Sequence, residues 1–254
     1  MVELKTPGEI EAMAAAGAVV ARALREVRSV AQVGTRLTDL DEVAREVLRD
    51  AGASSPFLGY QPSFAGAPFP AVVCLSVNDA VLHGIPTRYR LAAGDLLSVD
   101  CGATLDGWTG DAATSFGVGP TSDDDARLLE RTEAALHAGI SAAVVGARLG
   151  DISAAIGAIA HAAGYGVPAD FGGHGVGRTM HESPHVSNDG RPGRGMRLPA
   201  GLTIAIEPWF LAGGRADYRI DDDSWTLRSA DGSRGAHFEH TIAVTAEGPR
   251  ILTR

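Results

Sequence analysis

Two stretches of this sequence return at long range, in the same order. Val33-Gly34-Thr35-Arg36-Leu37-Thr38-Asp39-Leu40 reappears as Val145-Gly146-Ala147-Arg148-Leu149-Gly150-Asp151-Ile152. Each is followed at the same interval by Ala-Gly, at Ala51-Gly52 and Ala163-Gly164. Arg90-Leu91-Ala92-Ala93-Gly94, five residues and Asp100 are echoed by Arg197-Leu198-Pro199-Ala200-Gly201, five residues and Glu207. Solenoid repeats recur every 20–50 residues or so, and these lie much further apart. The expectation is a single domain over residues 1–254 built from two similar halves, roughly 1–120 and 121–254.

A chain of 254 residues with 45% hydrophobic residues can bury a sizeable core. The net charge of −9 and the absence of any polybasic run argue against a nucleic-acid or membrane-surface partner. Two cysteines, Cys74 and Cys101, do not make a disulfide framework and fit a reducing compartment. The N-terminus has no signal pattern, and no stretch of about 18 apolar residues could span a bilayer. The expectation is a cytoplasmic globular protein, monomeric by default.

Thr6-Pro7-Gly8-Glu9 has the form of a capping box and opens a helix over Ile10 to Val30. A second helix is expected from Thr38 to Asp50, a third from Ser122 to about Val145, and a fourth opened by Asp151 and ended by Gly164. Strands are expected at Ala71–Val77, Leu96–Leu105, Trp108–Val118, Thr203–Phe210, Ser224–Arg228 and His237–Thr245, with a loop over Ser54–Pro70.

Acids interrupt the apolar strands. If Asp106-Gly107 forms a two-residue turn, Leu105 faces Trp108 and Asp100 faces Ala113, and Asp111 shares that face, diagonal to Asp100. Like charges on a half-buried face are costly unless a cation joins them or one is protonated. Taken alone, the hairpin acids read first as solvated, turn-flanking residues. Glu207, matched to Asp100 by the repeat, and Glu239, inside the apolar run His237-Phe238-Glu239-His240-Thr241-Ile242, turn the reading towards a shared cation site. An acid-only site suits Mg²⁺ or Ca²⁺, and an added imidazole favours Mn²⁺, Fe²⁺, Co²⁺ or Zn²⁺. Gly172-Gly173-His174-Gly175-Val176-Gly177 offers that imidazole, clear of neighbouring bulk. Two metals sharing bridging carboxylates would make a site for activating water.

Seven motifs occur in order: His83-Gly84-Ile85-Pro86, Ser98-Val99-Asp100, Gly110-Asp111, Gly173-His174-Gly175-Val176-Gly177, Met180-His181-Glu182-Ser183-Pro184, Ile206-Glu207-Pro208 and Phe238-Glu239-His240-Thr241. With them the chain resembles the type I methionine aminopeptidases of the pita-bread metallopeptidase family M24, over nearly its whole length. The resemblance implies an α+β fold of two pseudo-symmetric halves around a curved antiparallel sheet. It implies metal ligands at Asp100, Asp111, His174, Glu207 and Glu239, holding two divalent ions from among cobalt, manganese, iron, zinc and nickel. It also implies removal of the N-terminal methionine of nascent polypeptides, near the ribosome, with a small second residue preferred. In that scheme hydroxide activated by the metal pair attacks the first peptide carbonyl and Glu207 shuttles the proton. His181 donates to the developing oxyanion, and His83 holds the substrate.

The same resemblance puts Phe69, Cys74, Met180 and Trp225 around the methionine side chain. Met180 stands where an aromatic residue is frequent, Leu82 where cysteine is frequent, and Ala112-Ala113 where a threonine often follows the acid. Gly66 falls in a loop that carries an aromatic residue in the family, with Phe64 nearby. These departures bear on pocket shape and rate. His137 and His161, in expected helices, receive no role, and His185, His237 and His240 match no ligand position. Two alternatives remain: an X-Pro peptidase of the same fold, and a non-catalytic peptide-binding relative.

Overall fold

The structure is a computed structural model and describes residues 2–254. Its elements in chain order begin with α1 (Pro7–Val30), α2 (Leu37–Asp50), β1 (Val73–Val77), β2 (Ala80–Leu82), β3 (Leu96–Leu105) and β4 (Trp108–Gly117). They continue with α3 (Asp123–Ala142), α4 (Leu149–Ala163), β5 (Gly173–Gly175), β6 (Glu182–Val186), β7 (Thr203–Ile206) and β8 (Trp209–Leu211). The last are β9 (Tyr218–Ile220), β10 (Leu227–Ser229), β11 (Gly235–His237), β12 (Glu239–Thr245) and β13 (Gly248–Ile251).

Local chemistry accounts for the helix ends. The Thr6 hydroxyl accepts from the Glu9 N–H, while the Glu9 carboxylate accepts from the Thr6 N–H at 2.8 Å. Helix α4 starts at Leu149, two residues before the expected Asp151. Asp151 is the third helical residue, and its carboxylate reaches back to the Arg148 N–H at 2.7 Å, so the acid marks the first turn and not its start. Gly164, at φ +74°, ends the helix in the left-handed region.

The main sheet is antiparallel, in the order β1-β3-β4-β12-β7-β5-β6, with β13 also paired to β12. One apolar core joins α1 and α2 to β1, β3 and β4 through residues such as Val20, Leu40, Leu97 and Val99. A second joins α3 and α4 to β7 and β12 through Leu136, Ile156, Ile204 and Ile242. Helix α1 lies close to the sheet because Gly17 and Gly110 meet there, and a Cβ on Gly110 would stand 2.9 Å from the Gly17 Cα.

The two echoes of the sequence meet each other in space. Arg36 bridges Arg90 in the first half, and Arg148 bridges Arg197 in the second. The Gly34 N–H donates to the Leu91 carbonyl at 2.7 Å, and the Gly146 N–H to the Leu198 carbonyl at 2.9 Å.

Two expected strands are each broken in two. Thr203–Phe210 divides into β7 and β8 around Glu207-Pro208, where Pro208 has no N–H to give a ladder. His237–Thr245 divides into β11 and β12 at Phe238. The breaks are mated: the Phe238 N–H donates to the Pro208 carbonyl at 3.1 Å. Pairing of β12 with β7 ends at His240↔Ile206 and resumes as β11 with β8 at His237↔Trp209. Glu207 and Glu239 therefore sit on either side of one shared bend. The expected Ser224–Arg228 strand is also displaced, because the Asp223 carboxylate caps the Trp225 and Thr226 N–H groups in a turn and the strand starts at Leu227.

Candidate metal centre and pocket

Hairpin β3–β4 has the register expected of an Asp106-Gly107 turn, with Leu105↔Trp108, Asp100↔Ala113 and Gly102↔Asp111. Asp106 and Gly107 both have positive φ, as such a turn requires. Glu239 pairs with Ala113 from the next strand. Asp100, Asp111 and Glu239 thus share one face across three strands, because directly paired residues point the same way. Glu207 arrives from the bend after β7 and His174 from β5. Strand β5 fits between its neighbours because Gly173 and Gly175 have no Cβ to strike the Ala205 and Ser183 carbonyls.

The five side chains converge in a buried cluster. His174 Nε2 lies 3.6 Å from Glu207 Oε1 and 4.0 Å from Asp111 Oδ2. Its Nδ1 is taken up by the Gly175 carbonyl at 2.9 Å, which makes Nδ1 the protonated nitrogen and leaves the Nε2 lone pair facing the acids. Asp100, Asp111, Glu239 and His174 are all buried. Burial, then the neighbouring carboxylates, push Asp100, Asp111 and Glu239 well above the usual carboxylate range. Burial also pushes Glu207 up, but the surrounding imidazoles of His237, His174 and His83 more than offset this and leave it below its ordinary value.

Asp100 Oδ1, Asp111 Oδ1, Glu239 Oε1, His83 Nδ1 and His237 Nε2 are buried without any hydrogen-bond partner. An unpaired buried polar group costs about 1–3 kcal/mol, more when charged. Such a concentration in one place fits residues arranged to hold divalent cations. An oxygen-rich set with imidazole nitrogen suits Mn²⁺, Fe²⁺, Co²⁺ or Zn²⁺. Among the described residues, Asp111-His174-Glu239 and Glu207-His237-Glu239 each bring three donor atoms within 4.8 Å of one another.

Above the acids lies a cavity of about 240 Å³ whose walls include Phe69, Cys74, Met180 and Trp225, with Phe57, Tyr60 and Phe64. Phe57, Phe69, Cys74, Met180 and Trp225 form an apolar cluster of their own, separate from the two cores. His83 and His181 also line the cavity. His83 is held at φ +54°, and burial lowers its pKa to about 4. Desolvation, then His174, lowers His181 to about 4 as well. All eleven residues singled out from the sequence meet in this one site. Leu82 is buried among Val81, Trp209 and Leu227, outside the cavity wall. Ala112 faces the helix-backed core. His137, His161 and His185 are exposed.

Sequence reasoning passed over four residues that support the cluster. The Thr241 hydroxyl accepts from the Asp111 N–H and donates to its carbonyl, at 2.9 and 2.8 Å. Ser115 serves the His237 backbone in the same way, at 2.9 and 2.7 Å. Asn188 donates to the Glu207 carbonyl at 3.0 Å, and the Tyr60 hydroxyl lies 3.1 Å from His181 Nδ1. Of these, only Thr241 stood inside a motif and was open to notice.

Residues 11–246 match metallopeptidase family M24. The sequence is 52% identical over 260 residues to methionine aminopeptidase 1 of Mycobacterium tuberculosis, covering 100% of this chain and 95% of that protein. The solved methionine aminopeptidase of Thermotoga maritima superposes with a TM-score of 0.95 at 41% identity, over 100% of both chains. The prolidase of Pyrococcus furiosus, with a TM-score of 0.79 at 22% identity over 99% of this chain and 65% of that one, shares the fold alone. The curved antiparallel sheet with its helix pairs is the α+β pita-bread fold. By sequence and by structure, the chain belongs to the methionine aminopeptidases of metallopeptidase family M24.

Proposed function

We propose that this chain is a metallo-aminopeptidase that removes methionine from the N-terminus of peptides and nascent proteins, preferring a small second residue. The observation that carries the reading is the buried set of partnerless acids at the foot of an apolar cavity of about 240 Å³. Asp100, Asp111, His174, Glu207 and Glu239 would hold two divalent ions, drawn from cobalt, manganese, iron, zinc and nickel. Bound, those ions would supply Lewis acidity and lower the pKa of bound water towards neutrality. Glu207, ionised below the usual carboxylate range, accepts a proton from the attacking water and returns it to the leaving amine. With Nδ1 accepting from Tyr60, His181 keeps its proton on Nε2, where it can donate to a developing oxyanion. His83 holds the substrate backbone beside the scissile bond. Phe69, Cys74, Met180 and Trp225 enclose the methionine side chain, and a soft apolar wall suits a thioether.

The whole of residues 1–254 forms one catalytic domain of two halves, roughly 1–120 and 121–254. It acts in the cytoplasm as a monomer, on polypeptides close to the ribosome. No helix among the described residues is long and apolar enough to cross a membrane. The test is to strip the metal, reload with each ion in turn and compare Met-Ala-Ser with Ala-Pro peptides. Cleavage of Met-Ala-Ser is expected, falling as the second residue grows and lost in Asp111→Asn. Cleavage of Ala-Pro alone would overturn the reading for an X-Pro peptidase. Activity indifferent to Asp111→Asn would assign the turnover to a contaminant and leave a peptide-binding protein.

A further inference from the structure

His237 ends β11, two residues before Glu239, and only 2% of it is exposed. Its Nε2 stands 3.6 Å from Glu207 Oε2 and 3.9 Å from Glu239 Oε2, buried and without a hydrogen-bond partner. The two oxygens of Glu207 face two different imidazoles, Oε1 towards His174 and Oε2 towards His237. Unlike His174 and Glu207, His237 does not line the cavity, and it meets Glu207 from within the protein. Its backbone is fixed at both polar groups by the Ser115 hydroxyl, itself 2.6 Å from the Ser98 hydroxyl. A rigid imidazole behind a buried carboxylate holds that carboxylate against rotation once a small closure forms the hydrogen bond.

We propose that His237 is a positioning residue for Glu207. Its Nε2–H donates to Glu207 Oε2, which turns Oε1 into the cluster beside His174 and strengthens the hold of the four acids and one imidazole on divalent metal. The inference rests on the reading of Asp100, Asp111, His174, Glu207 and Glu239 as the ligand set. The rival geometry is direct ligation, since the same nitrogen is within reach of both Glu207 and Glu239.

The test uses the full chain, stripped of metal, as wild type, His237→Ala and His237→Gln. Mn²⁺ is titrated by calorimetry, and the loaded proteins are examined by pulsed EPR after labelling with ¹⁵N-histidine. Loss of an outer hydrogen bond to a ligand costs roughly 10–100-fold in metal affinity, so His237→Ala should bind that much more weakly. His237→Gln keeps an N–H donor and should recover most of the loss. Wild type and His237→Gln should show the same number of coordinated imidazole nitrogens. At saturating metal, kcat should fall in His237→Ala with KM little changed. Unchanged affinity in His237→Ala would overturn the proposal, and so would a coordinated nitrogen present in wild type and lost in His237→Gln. If wild type itself bound no metal, the ligand set would fall with it. If wild type bound metal and both variants matched it, only the role of His237 would fall.

Discussion

Tyr60 shows how one hydroxyl can set the proton arrangement of a site. Its O–H sits 3.1 Å from His181 Nδ1, and the His181 ring is centred 4.3 Å from that of His174. Tyr60→Phe removes the donor that keeps the His181 proton on Nε2, and loss of a well-placed general-acid or oxyanion donor costs roughly tenfold or more in rate. The expected result is a lower kcat with KM nearly constant, measured on Met-Ala-Ser. An equal rate would show that the tautomer is set elsewhere. Met180 makes a different point. It is buried against Phe69, Cys74 and Trp225, so Met180→Phe trades a flexible wall for a larger, stiffer one. One extra methylene in the substrate is then expected to be penalised by about tenfold in kcat/KM relative to wild type, within the range such pockets achieve. A peptide panel with ethionine in place of methionine reads it directly, and unchanged selectivity would remove Met180 from the pocket. The ligand candidates were legible because acids inside apolar strands are anomalous in a sequence. Tyr60, Asn188 and Ser115 were not, because a hydroxyl or amide looks ordinary until the fold brings up its partner, 121 residues away for Tyr60 and 122 for Ser115.

Elements with strong local signals were readable along the chain. The capping box of α1, the Asp-Gly turn of β3–β4 and the glycine stops of α2 and α4 are short-range chemistry. The three-residue strands β2, β5, β8, β9, β10 and β11 have no room for a period-two pattern, and they exist because neighbouring strands offer pairing. The breaks at Glu207-Pro208 and Phe238 are similarly tertiary, each satisfying the other. Between β4 and β12 the strands pair at Glu239↔Ala113 and His240↔Ala112, and beyond that a side-chain hydroxyl takes over from the ladder. Thr241→Val keeps the shape but leaves the Asp111 N–H and carbonyl unpaired in the interior. A stability loss of about 1–3 kcal/mol is expected from chemical denaturation. Metal affinity should weaken with it, because the same hydroxyl fixes the backbone that carries Asp111. A stability loss with unaltered metal binding would mean that the acid is held by its neighbours alone.

At the scale of the whole molecule, strands β3, β4 and β12 and the bend after β7 put their acids in one place, and the fold bears the electrostatic cost of that convergence. Asp100, Asp111 and Glu239 have folded-state pKa values raised by burial and mutual repulsion. A raised carboxyl contributes stability while it stays protonated, and that contribution is lost as pH rises through its folded value. Glu207, shifted the other way, is ionised in both states above the ordinary carboxylate range and adds no slope there. His83, His181 and His240, each lowered to about 4, destabilise the fold only below the ordinary histidine value of about 6.5, where the unfolded chain binds protons that they do not. Between about pH 6.5 and the onset of thiol ionisation near 8.5, the buried acids are left to set the slope. The metal-free protein should therefore melt at progressively lower temperature across that window. The metal-loaded protein should not, because cations balance the ionised acids and are held more tightly as proton competition fades. The thermal gain on adding Mn²⁺ to stripped protein should widen with pH, as read by melting curves with and without chelator. A stripped protein that gained stability over the same window would mean that the acids are solvated, and the inward-facing ligand set could not stand.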